Sequence, residues 1–115
     1  MSIPIFTAQL EKSREATDLA NIRSAYAEAS AALLSEEGTT TGSDLISAVT
    51  YNAATASAAA TAVVTVTLKQ GVDGWTTTSL DVGGVDLTGT TPKANGTCEI
   101  TVSADPNTLP TFTFS

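Results

Sequence analysis

Between Pro4 and about Glu37 the chain contains no glycine and no second proline. A stretch that long without a breaker, rich in Ala, Glu, Leu, Arg and Ser and poor in strand formers, is fit for one regular structure, an α-helix. Phe6 and Leu10, then Ala16, Leu19, Ile22, Tyr26, Ala29 and Leu33, fall largely in steps of three and four. That spacing draws one apolar stripe down a 3.6-residue helix and turns it toward a core. Pro4 suits the first turn, where its missing N–H would be unpaired in any case, and Gly38, followed by Thr39, Thr40, Thr41 and Gly42, is the expected stop. At 1.5 Å rise per residue, roughly 30 residues make a rod of about 50 Å, longer than the sheet of a small domain covers. Part of the helix is therefore expected to project.

Polarity says which part. Glu11, Lys12, Arg14, Glu15 and Asp18 crowd the first half, whereas Leu19 to Leu34 carries the wider apolar face. The second half is expected to pack and the first to stand clear, supported by exposed pairs of Glu11 with Arg14, Lys12 with Glu15 and Arg14 with Asp18, each contributing about 0.2–0.5 kcal/mol. Ahead of these charges Ile3, Pro4, Ile5 and Phe6 form an apolar tip with no partner of its own in a 115-residue chain.

After Gly42 the composition turns to Thr, Ser, Val, Gly and Asp, with turn residues about every ten positions. From Ala62 to Lys69, Val64, Val66 and Leu68 alternate with Thr65, Thr67 and Lys69. Cys98, Ile100 and Val102 alternate with Thr97, Glu99 and Thr101, and a third candidate strand sends Phe112 and Phe114 inward. Asn95-Gly96 and Asp73-Gly74 carry hairpin turn chemistry, so an antiparallel meander is expected. Leu45, Ile46, Val49 and Tyr51 suit a short strand, and the rest of residues 43–60 stays unassigned. Trp75 opens a segment through Leu80, Val82, Val85 and Leu87 that reads as a short strand and loops, with the indole over one end of the sheet. Together these give an α+β fold: residues 1–38 a helix and residues 39–115 a β-rich head with an antiparallel sheet of three or four strands, forming one domain.

Charge and chemistry narrow the function. Twelve acidic against 5 basic residues leave a net charge of −7, which repels phosphate backbones and argues against nucleic acid as a partner. The single cysteine forms no internal disulfide, and no histidine is present to activate it. By strand alternation Cys98 is a buried packing thiol. Asp73, Asp81, Asp86 and Asp105 lie in or near turns without the spacing of a calcium loop, so they read as solvated turn acids. Glu36 and Glu37 are adjacent, hence not a facing acid and base. Asn95-Gly96-Thr97 matches a glycosylation triplet but already has a turn explanation. Leu109 to Thr113 lacks the Thr-Gly and apolar tail of a sortase signal. No enzyme activity, cofactor or metal is expected.

The run Ile3-Pro4-Ile5-Phe6, then Glu11 to Asp18, then Asn21-Ile22-Arg23-Ser24-Ala25-Tyr26-Ala27-Glu28, resembles the helix of type IV pilins and pseudopilins just past their membrane-embedded segment. It covers about the first third of the chain, and the head matches only in type. The resemblance implies a precursor cleaved by a prepilin peptidase, a hydrophobic anchor preceding this sequence, and homo-oligomeric assembly of helices into a filament core. Met1-Ser2 reads as a start introduced where that anchor was removed, leaving a piece expected to be soluble and monomeric. The family's glutamate near the processed N-terminus has no counterpart here, and Pro4 resembles the proline that bends the family's helix. The lone Cys98 departs from pilins whose C-terminal loop is closed by a disulfide.

A structural subunit of a surface filament for adhesion or motility is thus expected, its precursor held in the cytoplasmic membrane by the missing anchor. The filament-packing residues would be Ile3, Pro4, Ile5, Phe6, Leu10, Glu11 and Arg14, and the helix-to-sheet core Leu19, Ile22, Tyr26 and Leu33. A pseudopilin of a secretion or competence system is the alternative within the family. A secreted β-rich carbohydrate-binding module is the alternative outside it, suggested by the Thr-rich strands and Trp75.

Overall fold

Helix α1 runs from Ile3 to Ser35, the single long helix that a stretch free of breakers dictates. The computed structural model describes residues 3–38, 42, 45–71, 73–75, 80–87 and 89–115, with side chains from Leu10 onward. Glycine does not stop the helix. Glu36 takes the left-handed conformation at φ 58° and the Glu37 N–H bonds back to the Ala32 carbonyl at 3.2 Å, a C-terminal cap built two residues before the expected Gly38. Gly38 acts through its lack of a side chain. A Cβ there would collide with the carbonyl oxygen of Val49, so its bareness lets the chain leaving the helix pass against the strand that follows.

Four strands form one antiparallel sheet in the order β1 (Thr50–Asn52), β2 (Thr61–Thr67), β5 (Thr97–Ser103) and β6 (Thr111–Phe114). A separate hairpin is made by β3 (Asp81–Val82) and β4 (Val85–Asp86). The result is an α+β arrangement, one N-terminal helix on a four-stranded antiparallel sheet, which matches the description of a pilin-like fold. β1 forms around Tyr51, where a short strand is expected, and a bridge from Ile46 to Val66 begins its pairing earlier. The meander is interrupted. β2 and β5 pair directly from Thr61↔Ser103 to Thr67↔Thr97, but an excursion over residues 68–96 separates them in sequence. Asp73-Gly74 lies inside that excursion rather than joining two neighbouring strands, and Asn95-Gly96 only leads into β5. The tight hairpin turn is instead Gly83-Gly84, at φ 59° and 84°, the signs a two-residue connection needs.

Alternation sends Ala62, Val64, Val66 and Leu68, with Cys98, Ile100 and Val102, under the helix, where all are buried. Leu19, Ile22, Ala25, Ala29 and Ala32 meet them from α1. Tyr26 and Leu33 pack at the margin, half-buried, and Phe112 and Phe114 close the sheet's far edge. The expected stripe is wrong at Ala16, which is exposed, because the buried line passes through Glu15 and Asp18 instead. Tyr26 lies on the hairpin: a Cβ at Gly83 would stand 2.7 Å from its ring. Ala25, Ala29 and Ala32 give α1 small side chains on the face that meets the sheet, which permits a close approach of helix and strands.

Candidate functional site

Three carboxylates of α1 continue the buried stripe toward the N-terminus. Counting back from Ile22, positions 18, 15 and 11 follow in steps of four and three, so Asp18, Glu15 and Glu11 face the same way as the core residues. Asp18 is fully buried and Glu15 nearly so. The Asp18 carboxylate accepts the Lys69 N–H at 2.6 Å and the Gln70 N–H at 2.8 Å, and Glu11 accepts the Gly71 N–H at 3.0 and 3.1 Å. Three consecutive amides leaving β2 are thereby held by two helix side chains. These amides would otherwise lack the ladder partners that strand residues have, and a charged acceptor satisfies them with short bonds.

Burial raises the Asp18 carboxyl above its ordinary 3.8, the neighbouring Glu11 and Glu15 charges add to the rise, and the two amide bonds oppose it. Gln70, also buried, extends the order of the loop by donating its side-chain amide to the Gly74 carbonyl at 2.8 Å. Further along, Asp73 accepts the Ala94 N–H at 2.7 Å and lies 3.9 Å from the Lys93 ammonium.

This clamp corrects the expectation that the helix's first half stands clear through Asp18. Among the described side chains the grip on the head reaches back to Glu11, so any projecting part is confined to Ile3–Leu10. Arg14 does pair with Glu11, at 3.7 Å, but Asp18 is turned inward to the backbone and is no exposed partner for Arg14. Glu15 is buried rather than part of a solvated pair with Lys12. Ile3, Pro4, Ile5 and Phe6 belong to the helix by their backbone, and their side chains lie outside the described residues. Leu10 is exposed.

Beside the clamp lies an open groove of about 640 Å³ lined by Ser13, Arg14, Thr17, Lys69, Gly71 and Asn95. Its charged lining is cationic, although Glu11 beside it offsets part of the Arg14 charge. At the other end of the head a smaller groove of about 310 Å³ is lined by Glu28, Ala31, Ala32, Ser35, Glu37 and Gly38.

The remaining candidates are structural. Cys98 is fully buried, and burial pushes its thiol up to about 12, so almost no thiolate exists at neutral pH. Trp75 donates to the Thr90 hydroxyl at 3.0 Å and meets Phe114 edge-on at 6.0 Å between ring centres, which uses the indole for packing. Asp105 closes its own turn by accepting from the Asn107 N–H and the Thr108 hydroxyl. Among the described residues no group of three or more Asp, Glu or Cys is placed to hold a metal, and no helix is long and apolar enough to cross a membrane. Comparison with protein-family models, curated proteins and solved structures finds no match for the chain.

Proposed function

We propose that the chain is a structural subunit of a type IV pilus-like filament, associating through the N-terminal part of α1 and displaying the sheet outward. One observation supports it above others. The 33-residue helix continues back to Ile3, beyond Glu11, the most N-terminal described side chain that is bonded to the head. An apolar Ile-Pro-Ile-Phe run on such an extension suits burial against other helices, where the hydrophobic effect drives association. The face of the sheet away from α1 carries Thr65, Thr67, Thr101, Thr111 and Thr113, a polar surface suited to contact with water.

The test is the full-length precursor in its own cells. Sheared surface material is examined by electron microscopy and mass spectrometry, and this chain is expected as the bulk component of filaments. A chain confined to the membrane fraction, without surface filaments, would instead make it a pseudopilin, which shares the same geometry. The glycan-binding alternative loses its main support, since the Trp75 ring is engaged with Phe114 and Thr90.

A further inference from the structure

We infer that copies of this chain contact one another head to tail through charge, the Arg14–Lys69 groove of one copy receiving the acidic C-terminal end of α1, Glu36 and Glu37, of the next.

The two ends of the helix–sheet unit carry different charges. At the clamp end stand Lys12, Arg14, Lys69 and Lys93, four of the five cations, balanced by Glu11, Glu15, Asp18 and Asp73. The opposite end, where α1 stops beside Val49 and residues 104–108 turn between β5 and β6, holds Glu28, Glu36, Glu37 and Asp105 and no Lys or Arg among the described residues. The backbone dipole adds negative character at that same helix end. Two acidic ends repel each other, whereas an acidic end meeting the charge-balanced clamp end does not, and the exposed cations of the groove attract it.

Side-chain placement supports the match. Lys69 is exposed and makes no ion pair among the described residues, and the Arg14 side chain is 44% exposed. Ser13, Thr17 and Asn95 add polar groups around them. Glu36 and Glu37 are exposed and likewise without an ion pair among the described residues. Leu34, in the last helical turn, is 89% exposed and gives the acidic end an apolar contact beside its charges; Leu10, one turn before Arg14, does the same at the clamp end. Because the two patches differ, the contact is heterologous and propagates instead of closing a dimer, which is the symmetry a filament requires.

The inference rests on the filament reading for its setting, but its test does not need filaments. The 115-residue chain at high concentration and low salt is treated with a carbodiimide, which joins an amine directly to a carboxylate, and the junctions are mapped by mass spectrometry. From Arg14 to Glu36 the helix alone spans about 33 Å, so a link between position 69 and position 36 or 37 reports two copies. A ladder of such links, fading as salt rises, is expected. Arg14→Gln, which lowers the groove's charge but keeps the Lys69 amine and both carboxylates that the reagent joins, is expected to cut it several-fold, whereas Lys69→Glu, or Glu36→Lys with Glu37→Lys, removes the joined groups and confirms the mapping. The triple variant carrying all three changes is expected to restore links between positions 69 and 37. A ladder that maps elsewhere, ignores Arg14→Gln or never forms overturns the inference. So does a groove that merely holds a free anion, seen as phosphate-dependent thermal stabilisation lost in Arg14→Gln with no such link. Absence of surface filaments in cells would count against the filament reading alone.

Discussion

Asp18 and Lys69 stand 51 residues apart in sequence, yet the carboxylate of one accepts the main-chain N–H of the other at 2.6 Å. With Gln70 and Gly71 following in line, this contact fixes where the sheet's second strand leaves the core and how far along the helix the head reaches.

Asp18→Ala leaves two main-chain donors without an acceptor, one of them fully buried. An unsatisfied buried donor costs about 1–3 kcal/mol, and relief of the buried charge offsets part of it, so a loss of about 1–2 kcal/mol is expected in urea unfolding. A midpoint within error of the parent's would show that water or another group replaces the carboxylate at no cost.

The same residue sets a pH dependence. Its folded-state carboxyl titrates above the unfolded value of 3.8, so the native chain binds this proton more tightly than the unfolded chain does. Asp18's contribution is therefore most favourable below 3.8 and is lost as pH rises through the raised value. Measured as the difference from Asp18→Asn, which cannot titrate, the stability of the parent should climb as pH is lowered from neutral toward 4; a flat or falling difference contradicts the raised carboxyl.

Gly83→Ala combines a left-handed backbone with a Cβ driven into the Tyr26 ring. Together these are expected to cost about 2 kcal/mol or more. Gly74→Ala, also at positive φ but with nothing within 4 Å of its Cβ, should cost less, and the gap between the two thermal shifts measures the ring contact.

Glu36→Gly removes a side chain from the left-handed cap position of α1 and is expected to stabilise the chain by about 1 kcal/mol. Equal or lower stability would mean that the Glu36 side chain makes contacts worth as much as the conformational relief.

Cys98 should resist a water-soluble disulfide reagent in the folded chain at pH 8 and react fully in denaturant. Labelling at the rate of a free thiol under native conditions would show that the sheet opens readily around it.

Much of this was legible in the sequence where periodicity is strict. Val64, Val66, Cys98 and Ile100 declare their face by alternation, and the absence of breakers fixes α1. The clamp was missed because carboxylates on a helix are ordinarily solvated. Its signal was present nonetheless: Glu11, Glu15 and Asp18 fall in phase with Ile22, Ala25 and Ala29, so a stripe that changed from apolar to acidic could still be a packed stripe. The direct pairing of β2 with β5 was invisible because strand partners are chosen by the whole sheet, and no local turn joins them. The cap at Glu36 was misplaced for a related reason. Gly38 serves the passage beside Val49, which only the folded arrangement brings near.

The excursion between β2 and β5 also bears on how the chain finds its fold. α1 is built from neighbours and can form early, but the sheet's central pair must close a long loop, whose entropy is lost before the ladder offsets it. Folding should thus be limited by the encounter of the two middle strands. Substitutions at Val64 or Ile100 are then the ones that slow refolding, whereas those confined to the solvent side of α1 leave its rate unchanged.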